Sequence, residues 1–296
     1  VNMVGGFKGL TLYNAPNSRF ICDVVYTNTP PAGAYRGYGA MQEQFAVEVM
    51  MEQIAEKLGV DPVEFKRKNW IKLGETMHLA KKLGEGKEGY EQAMASTAID
   101  ECVRIGIQAT DYYAKREKYK LQTGPVRKGI GFSIMMHGSG IAGLDMAGAT
   151  LKMNDDGSFN LLIGATDIGT GSDTILAQIA AEQLGISVDD IIVYSSDTDF
   201  TPFDKGAYAS STTYISGGAV LKAAQTTRRQ VLEQAAKMLK IDNPADLKII
   251  DGNIIAPDES SVTMREVALS SLHQLDQHQI MATESHISYV SPPPTA

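Results

Sequence analysis

Cysteine is nearly absent from this chain. It holds two, Cys22 and Cys102, far apart in sequence. Two cysteines exclude a disulfide scaffold or a zinc ribbon. They also exclude a resident iron–sulfur cluster, which takes about four cysteines. Any electron relay must sit elsewhere. No run of about 18 apolar residues occurs, so no membrane-spanning helix is expected. The opening residues carry no basic stretch followed by an apolar core, so no secretory leader is read and the chain is expected in the cytoplasm. Positive charge is in deficit: 27 Lys and Arg against 35 Asp and Glu give a net charge of −8. That balance argues against a nucleic-acid backbone or an anionic membrane surface as partner.

What is present is an ordinary globular balance, 43% hydrophobic over 296 residues, enough for one large or two ordinary domains. The chain opens on Val1 and closes on the linker-like Ser291-Pro292-Pro293-Pro294-Thr295-Ala296. Both ends are therefore expected to be cut from something longer.

The coarse pattern is mixed. RFICDVVYT (19–27) is β-branched and aromatic and reads as a strand. Ala40 to Leu58 has a helical period, with Gly59 placed as its C′ residue. Asp61-Pro62 reads as N-cap and first residue of a short helix to about Trp70. Residues 75–95 show no clear period, and a helix is predicted over 96–120. Gly124-Pro125 marks the expected boundary between two domains, 1–124 and 125–296. Beyond it come a hairpin (149–153 and 159–163), a helix stopped by Gly185, a strand at 191–195 and a long helix over 218–240. A second hairpin turns at Asp251-Gly252-Asn253, and Thr263 with Glu266 has capping-box spacing. Hairpins mixed with helices predict an α+β fold with mixed sheets, not a doubly wound parallel sheet.

Three glycine-rich segments each sit where an extended stretch meets a helix: 33–39, 164–171 and 206–218. Glycine lets backbone approach a ligand closely, and a helix N-terminus offers N–H groups to an anion. Three such segments suit a large anionic cofactor held mostly by backbone; tight turns would use the same glycines. The spacing after Gly164 is that of neither a phosphate-binding P-loop nor a dinucleotide fingerprint.

The stretches themselves carry a resemblance. TNTPPAGAYRGYGAMQ (27–42), GATDIGTGSDT (164–174) and GAYASSTTYISGGAV (206–220) resemble, in order and rough spacing, the molybdenum-cofactor-binding motifs of the xanthine dehydrogenase/aldehyde oxidase family. The likeness covers nearly the whole chain, which is then the later, incomplete part of a molybdenum-binding subunit. Enzymes of this family hydroxylate an electron-poor carbon of an N-heterocycle or an aldehyde with oxygen from water. Their electrons pass through two [2Fe-2S] clusters to FAD. The resemblance implies a molybdopterin cytosine dinucleotide, with the metal held through the pterin rather than by side chains. It also implies iron–sulfur and FAD partners on other chains or domains.

By the same resemblance Arg36 is the catalytic arginine that orients substrate or stabilises developing charge, a role suited to a planar fork. A surface or capping arginine is the plainer alternative. Ala34 and Tyr35 bring backbone near the metal ligands. Tyr38 matches an aromatic that stacks on planar substrates, with a core tyrosine as the alternative. The loop 136–143 matches a region that lines the substrate pocket, where His137 would contact substrate, although a lone histidine is more often structural. Gly169, Thr170 and Gly171 match the pterin loop. Ala209, Ser210, Ser211 and Thr212 match residues that meet the cofactor through N–H and hydroxyl groups, although they also suit a helix cap.

Two departures stand out. Thr170 occupies a place where many relatives carry glutamine, and threonine is shorter. The family's general-base glutamate lies in a G-x-G-E sequence, which these 296 residues do not contain. A chain without it is not expected to turn over alone. A non-catalytic cofactor-binding or assembly subunit is therefore the alternative reading.

Overall fold

The computed structural model describes residues 2–13, 15–31, 33–79, 91–274 and 277–289, without the side chains of Met3 and Phe7. The run 80–90 and the proline-rich 291–296 lie outside the described residues. The chain divides into two compact units, Val1–Ser139 with Val290–Ala296, and Gly140–Tyr289. Gly124-Pro125 lies inside the first.

The first unit opens with α1 (Asn2–Thr11) packed on α2 (Ala40–Leu58). Gly59, in the left-handed region at φ 65°, ends α2 as the sequence predicts, and Val60 N–H returns to Ala55 O. Asp61 caps α3 (Pro62–Asn69) by accepting from Glu64 N at 3.0 Å. The two-residue strands β1 (Thr76–Met77) and β2 (Gln92–Ala93) pair, and α4 (Ile99–Thr110) and α5 (Tyr112–Lys120) follow. The predicted helix over 96–120 is thus two helices. Asp111 stands between them at φ 51°, a conformation that Asp tolerates because its short side chain bonds locally. Lys66 is wholly buried between Glu48 Oε2 (3.0 Å) and Glu52 Oε1 (2.9 Å), and it donates to Phe132 O at 2.6 Å. A buried ammonium needs such pairing. The strand expected at 19–27 is not formed: residues 19–27 are exposed and make no ladder. A strand needs a neighbour to take its N–H and C=O groups, and none of the described residues supplies one.

The second unit is one layer of sheet under helices. β3 (Met146–Met153) and β4 (Phe159–Ile163) form the predicted hairpin, with Met153 opposite Phe159. From β4 the chain crosses through α6 (Ser172–Leu184) to the parallel strand β5 (Ile191–Ser195). Then come α7 (Gly217–Leu239), the small sheet β6 (Lys248–Ile250), β7 (Asn253–Ile255) and β8 (Ser261–Thr263), α8 (Met264–His273) and β9 (Met281–Ile287). Thr263 and Glu266 complete the predicted capping box. β9 pairs with β3, so the main sheet has the order β5-β4-β3-β9. Its inner face, with α6, α7 and α8, encloses a continuous core from Ala147 to Ile280. The fold is α+β with mixed sheets. No helix among the described residues is long and apolar enough to cross a membrane.

Candidate functional site

In the second unit two of the glycine-rich segments come together. β4 ends at Ile163 and turns at Gly164. A Cβ there would strike Pro202 O and lie 2.8 Å from Asp204 Cβ and 2.9 Å from Asp204 N. Only glycine fits, and the fit ties the 164–171 loop to the 202–204 turn. Ser196, just past the Ile191–Ser195 strand, also holds the loop: its Oγ donates to Ala165 O at 3.3 Å.

The loop then folds around Asp167. One carboxylate oxygen accepts from Gly169 N (2.8 Å), Thr170 N (2.9 Å) and Gly171 N (3.2 Å). Gly169 and Gly171 stand at φ 92° and 73°, and space is open where their Cβ atoms would be. The amides that the sequence offers to an anion are therefore turned onto the chain's own aspartate. What remains for a ligand is bare glycine backbone, the exposed Thr170 side chain and the start of α6. There Ser172 is buried and its hydroxyl has no partner, as is Asp173 Oδ1, while Asp173 Oδ2 accepts from Ser195 Oγ at 3.1 Å.

Backbone N–H donors, that of Gly169 foremost, hold the Asp167 carboxyl below the usual carboxylate range. Its folded pKa lies under the unfolded 3.8, so the loop order it contributes is complete above 3.8 and is lost as pH falls through the lower value. The Gly169, Thr170 and Gly171 amide resonances should hold still from neutral pH to about pH 4 and move together below it. Movement of all three well above that pH would show that another group orders the loop.

The third segment is anchored by Asp204, just ahead of it, which bridges to Ala147, accepts from Gly206 N at 2.8 Å and receives the Ser216 hydroxyl at 2.6 Å. Gly206 is another open position, at φ 117°. Ala209 and Ser210 stand at φ 50° and 54°, rare for residues with side chains and a mark of a constrained turn. Ala209 O accepts from Gly140 N at 2.8 Å. Tyr208 donates a short bond to the buried Asp145, whose other oxygen accepts from Ile141 N at 2.6 Å. Ser211 is buried and donates to Tyr208 O at 2.8 Å, Thr212 is half-buried, and Ser210 is exposed. Thr212–Ser216 form one π-helical turn before α7, a distortion common at functional sites. Leu176 and Ile179 of α6 pack on Gly217 at the start of α7.

The first unit carries the remaining candidates. Ala34, Tyr35 and Arg36 are exposed ahead of α2. Tyr38 N donates to Tyr35 O and Ala40 N to Gly37 O, both at 2.7 Å. Gly37, Tyr38 and Gly39 all have positive φ (94°, 24° and 80°), so the Arg36 backbone sits in a tightly specified turn. Arg36 has no ion pair or hydrogen bond with any described residue. His137 is half-buried with Nδ1 unpartnered; burial first, and then the charge of Lys8, pull its pKa down. Burial also lowers Lys8, to about 8.

Asp167, Asp204 and Asp145, which hold the loops, were not singled out by sequence. Two carried a local signal. Asp167-Ile168-Gly169 and Asp204-Lys205-Gly206 both place a carboxylate two residues before a glycine N–H, the Asx-turn pattern.

Sequence models of the molybdopterin cofactor-binding domain match residues 105–295 and 1–70. The chain belongs to this family. It is 35% identical over 296 residues to the xanthine dehydrogenase molybdenum-binding subunit of Escherichia coli O157:H7, covering 98% of this chain and 38% of that protein. The fold matches quinoline 2-oxidoreductase from Pseudomonas putida 86 with a TM-score of 0.75 at 24% identity, over 98% of this chain and 38% of that one. It matches the Cu,Mo-CO dehydrogenase with a TM-score of 0.72 at 25% identity, over 92% of this chain and 36% of that one. The chain thus spans about 38% of the length of this curated relative. The xanthine dehydrogenase-type resemblance and the α+β reading both hold.

Proposed function

We propose that this chain is the cofactor-holding part of a molybdenum hydroxylase. The enzyme oxidises an N-heterocycle of purine type or an aldehyde with oxygen from water, and passes electrons to iron–sulfur and FAD partners in the cytoplasm. One observation carries the reading beyond family membership. Gly169, Gly171 and Gly206 present bare backbone to open space, beside the buried and unpartnered Ser172 hydroxyl. With the amides of these glycines closed on Asp167 and Asp204, what supports a large polar cofactor is the open room beside their backbone and the unanswered Ser172 hydroxyl.

In this reading a molybdopterin cytosine dinucleotide lies against the open backbone of Gly169 and Gly171 and the Thr170 side chain, and meets Ala209 to Thr212 through backbone and hydroxyl groups. Ala34 and Tyr35 bring backbone toward the metal ligands. The bound group supplies the two-electron redox centre through which oxygen from water reaches the substrate carbon. Arg36 orients the substrate and offsets charge that develops on it. Tyr38 stacks on a planar ring. His137, kept neutral by burial and by Lys8, offers a ring nitrogen to the substrate rather than a positive charge.

Metal and nucleotide analysis of the intact complex from its source tests this. Molybdenum near one atom per active site, with cytidine monophosphate released on hydrolysis, is the expected result. Active enzyme without molybdenum overturns the reading. A purine nucleotide in place of cytidine corrects only the dinucleotide. Bound cofactor in a complex that turns over no heterocycle or aldehyde favours the assembly subunit instead.

A further inference from the structure

Near its end α7 turns a polar stripe to one side. Gln230, Glu233, Gln234 and Lys237 stand three and four positions apart, so they share one face of the helix. With Asp242, past the end of α7, and His278, ahead of β9, they line a cavity of about 450 Å³ in the second unit. Along the helix Gln234 lies about 25 Å from Gly217, so the cavity is separate from the glycine-rich loops.

The cavity's acceptors are left without donors. Gln234 is 6% exposed; its Nε2 donates to Ser270 Oγ at 2.9 Å, but its Oε1 meets no donor among the described residues. Gln230, half-buried, has an Oε1 in the same state. One turn earlier the wholly buried Thr227 Oγ1 repeats it. A buried acceptor without a donor is costly, and folded chains leave few. Here three fall on one helix, and two of their residues line the same cavity. Glu233, Asp242 and Lys237 are exposed and form no ion pair with a described residue.

We propose that this cavity binds a small aliphatic diamine in its di-ammonium form. The lining has an excess of acceptors: two amide oxygens and two carboxylates against the single ammonium of Lys237. A ligand ammonium carries three donors and no acceptor, so one end can answer Gln230 Oε1, Gln234 Oε1 and a carboxylate together. The other end pairs with the second carboxylate. An anion would meet Glu233 and Asp242 and leave the amide oxygens unanswered. A diol would bring fewer donors and no charge. The volume lies in the range of small-molecule sites. The proposal rests on the second unit alone and does not depend on the molybdenum reading.

Calorimetric titration of the intact protein with 1,4-diaminobutane tests it. The expected result is saturable binding at one site per chain, with a Kd of about 1 mM or tighter. Gln230→Leu removes an acceptor and Glu233→Gln removes a charge, and each weakens binding by about tenfold or more. If Gln230→Leu does not fold, Glu233→Gln, at an exposed position, decides alone. No saturable binding overturns the proposal, and so does unchanged affinity in Glu233→Gln. Equally tight binding of 1,4-butanediol or succinate overturns it as well, because the site would then not select for positive charge. Binding to Lys237→Met but not to the parent protein overturns it in favour of Lys237 as the cavity's own occupant.

Discussion

Arg36→Lys in the complete enzyme should lower kcat/KM by roughly 30- to 1000-fold and leave fold and molybdenum content unchanged. Arg36 is exposed, bonds to none of the described residues, and sits on a turn in which Gly37, Tyr38 and Gly39 all take positive φ. A turn so constrained aims a side chain, and here the aim serves no contact within its own unit. Lysine keeps the charge but loses the planar fork, so a two-point contact to a carbonyl or carboxylate becomes a single one. Losing one such donor costs about 2–4 kcal/mol of transition-state stabilisation. A purely surface arginine would cost within about 0.5 kcal/mol. The readings differ by more than about tenfold in rate, and steady-state kinetics at matched molybdenum occupancy separates them. An unchanged rate removes Arg36 from the active site and with it the assignment of the 33–39 segment.

Gly164→Ala should destabilise the second unit by about 3 kcal/mol or more, a fall of roughly 10 °C in melting temperature for a unit of this size. The cause is packing. Gly164 does not have positive φ, but a methyl group there meets the carbonyl of Pro202 and the backbone of Asp204, which cannot move aside without breaking the Ala147 bridge. Gly169→Ala provides the contrast. Its site is open, so only the left-handed conformation at φ 92° is strained, and about 1–2 kcal/mol is expected. Thermal or urea unfolding of both variants checks the order. A Gly164 variant as stable as the Gly169 variant would mean that the 202–204 turn yields, and that the two glycine-rich loops are not rigidly joined.

The sequence by itself determined the elements whose causes are local. The α2 and α6 stops at Gly59 and Gly185, the Asp61 cap, the Thr263–Glu266 capping box and the Met153–Phe159 hairpin all follow from residues a few positions apart. The family was legible too, because three glycine-rich segments in one order form a specific pattern even though each is weak alone. Tertiary structure decided whatever depends on a distant partner. Residues 19–27 have the composition of a strand, yet a strand exists only where another chain segment takes its hydrogen bonds. β9 completes the main sheet from the far end of the second unit, a pairing that no local pattern announces. Only the folded loop shows that the Gly169–Gly171 amides close on Asp167, and that Gly164 is required by a turn far downstream in the chain. Caps and periods act over one helical turn and can be read along the chain. Ladders and close backbone approaches act across space, and they exist only once the two segments have met.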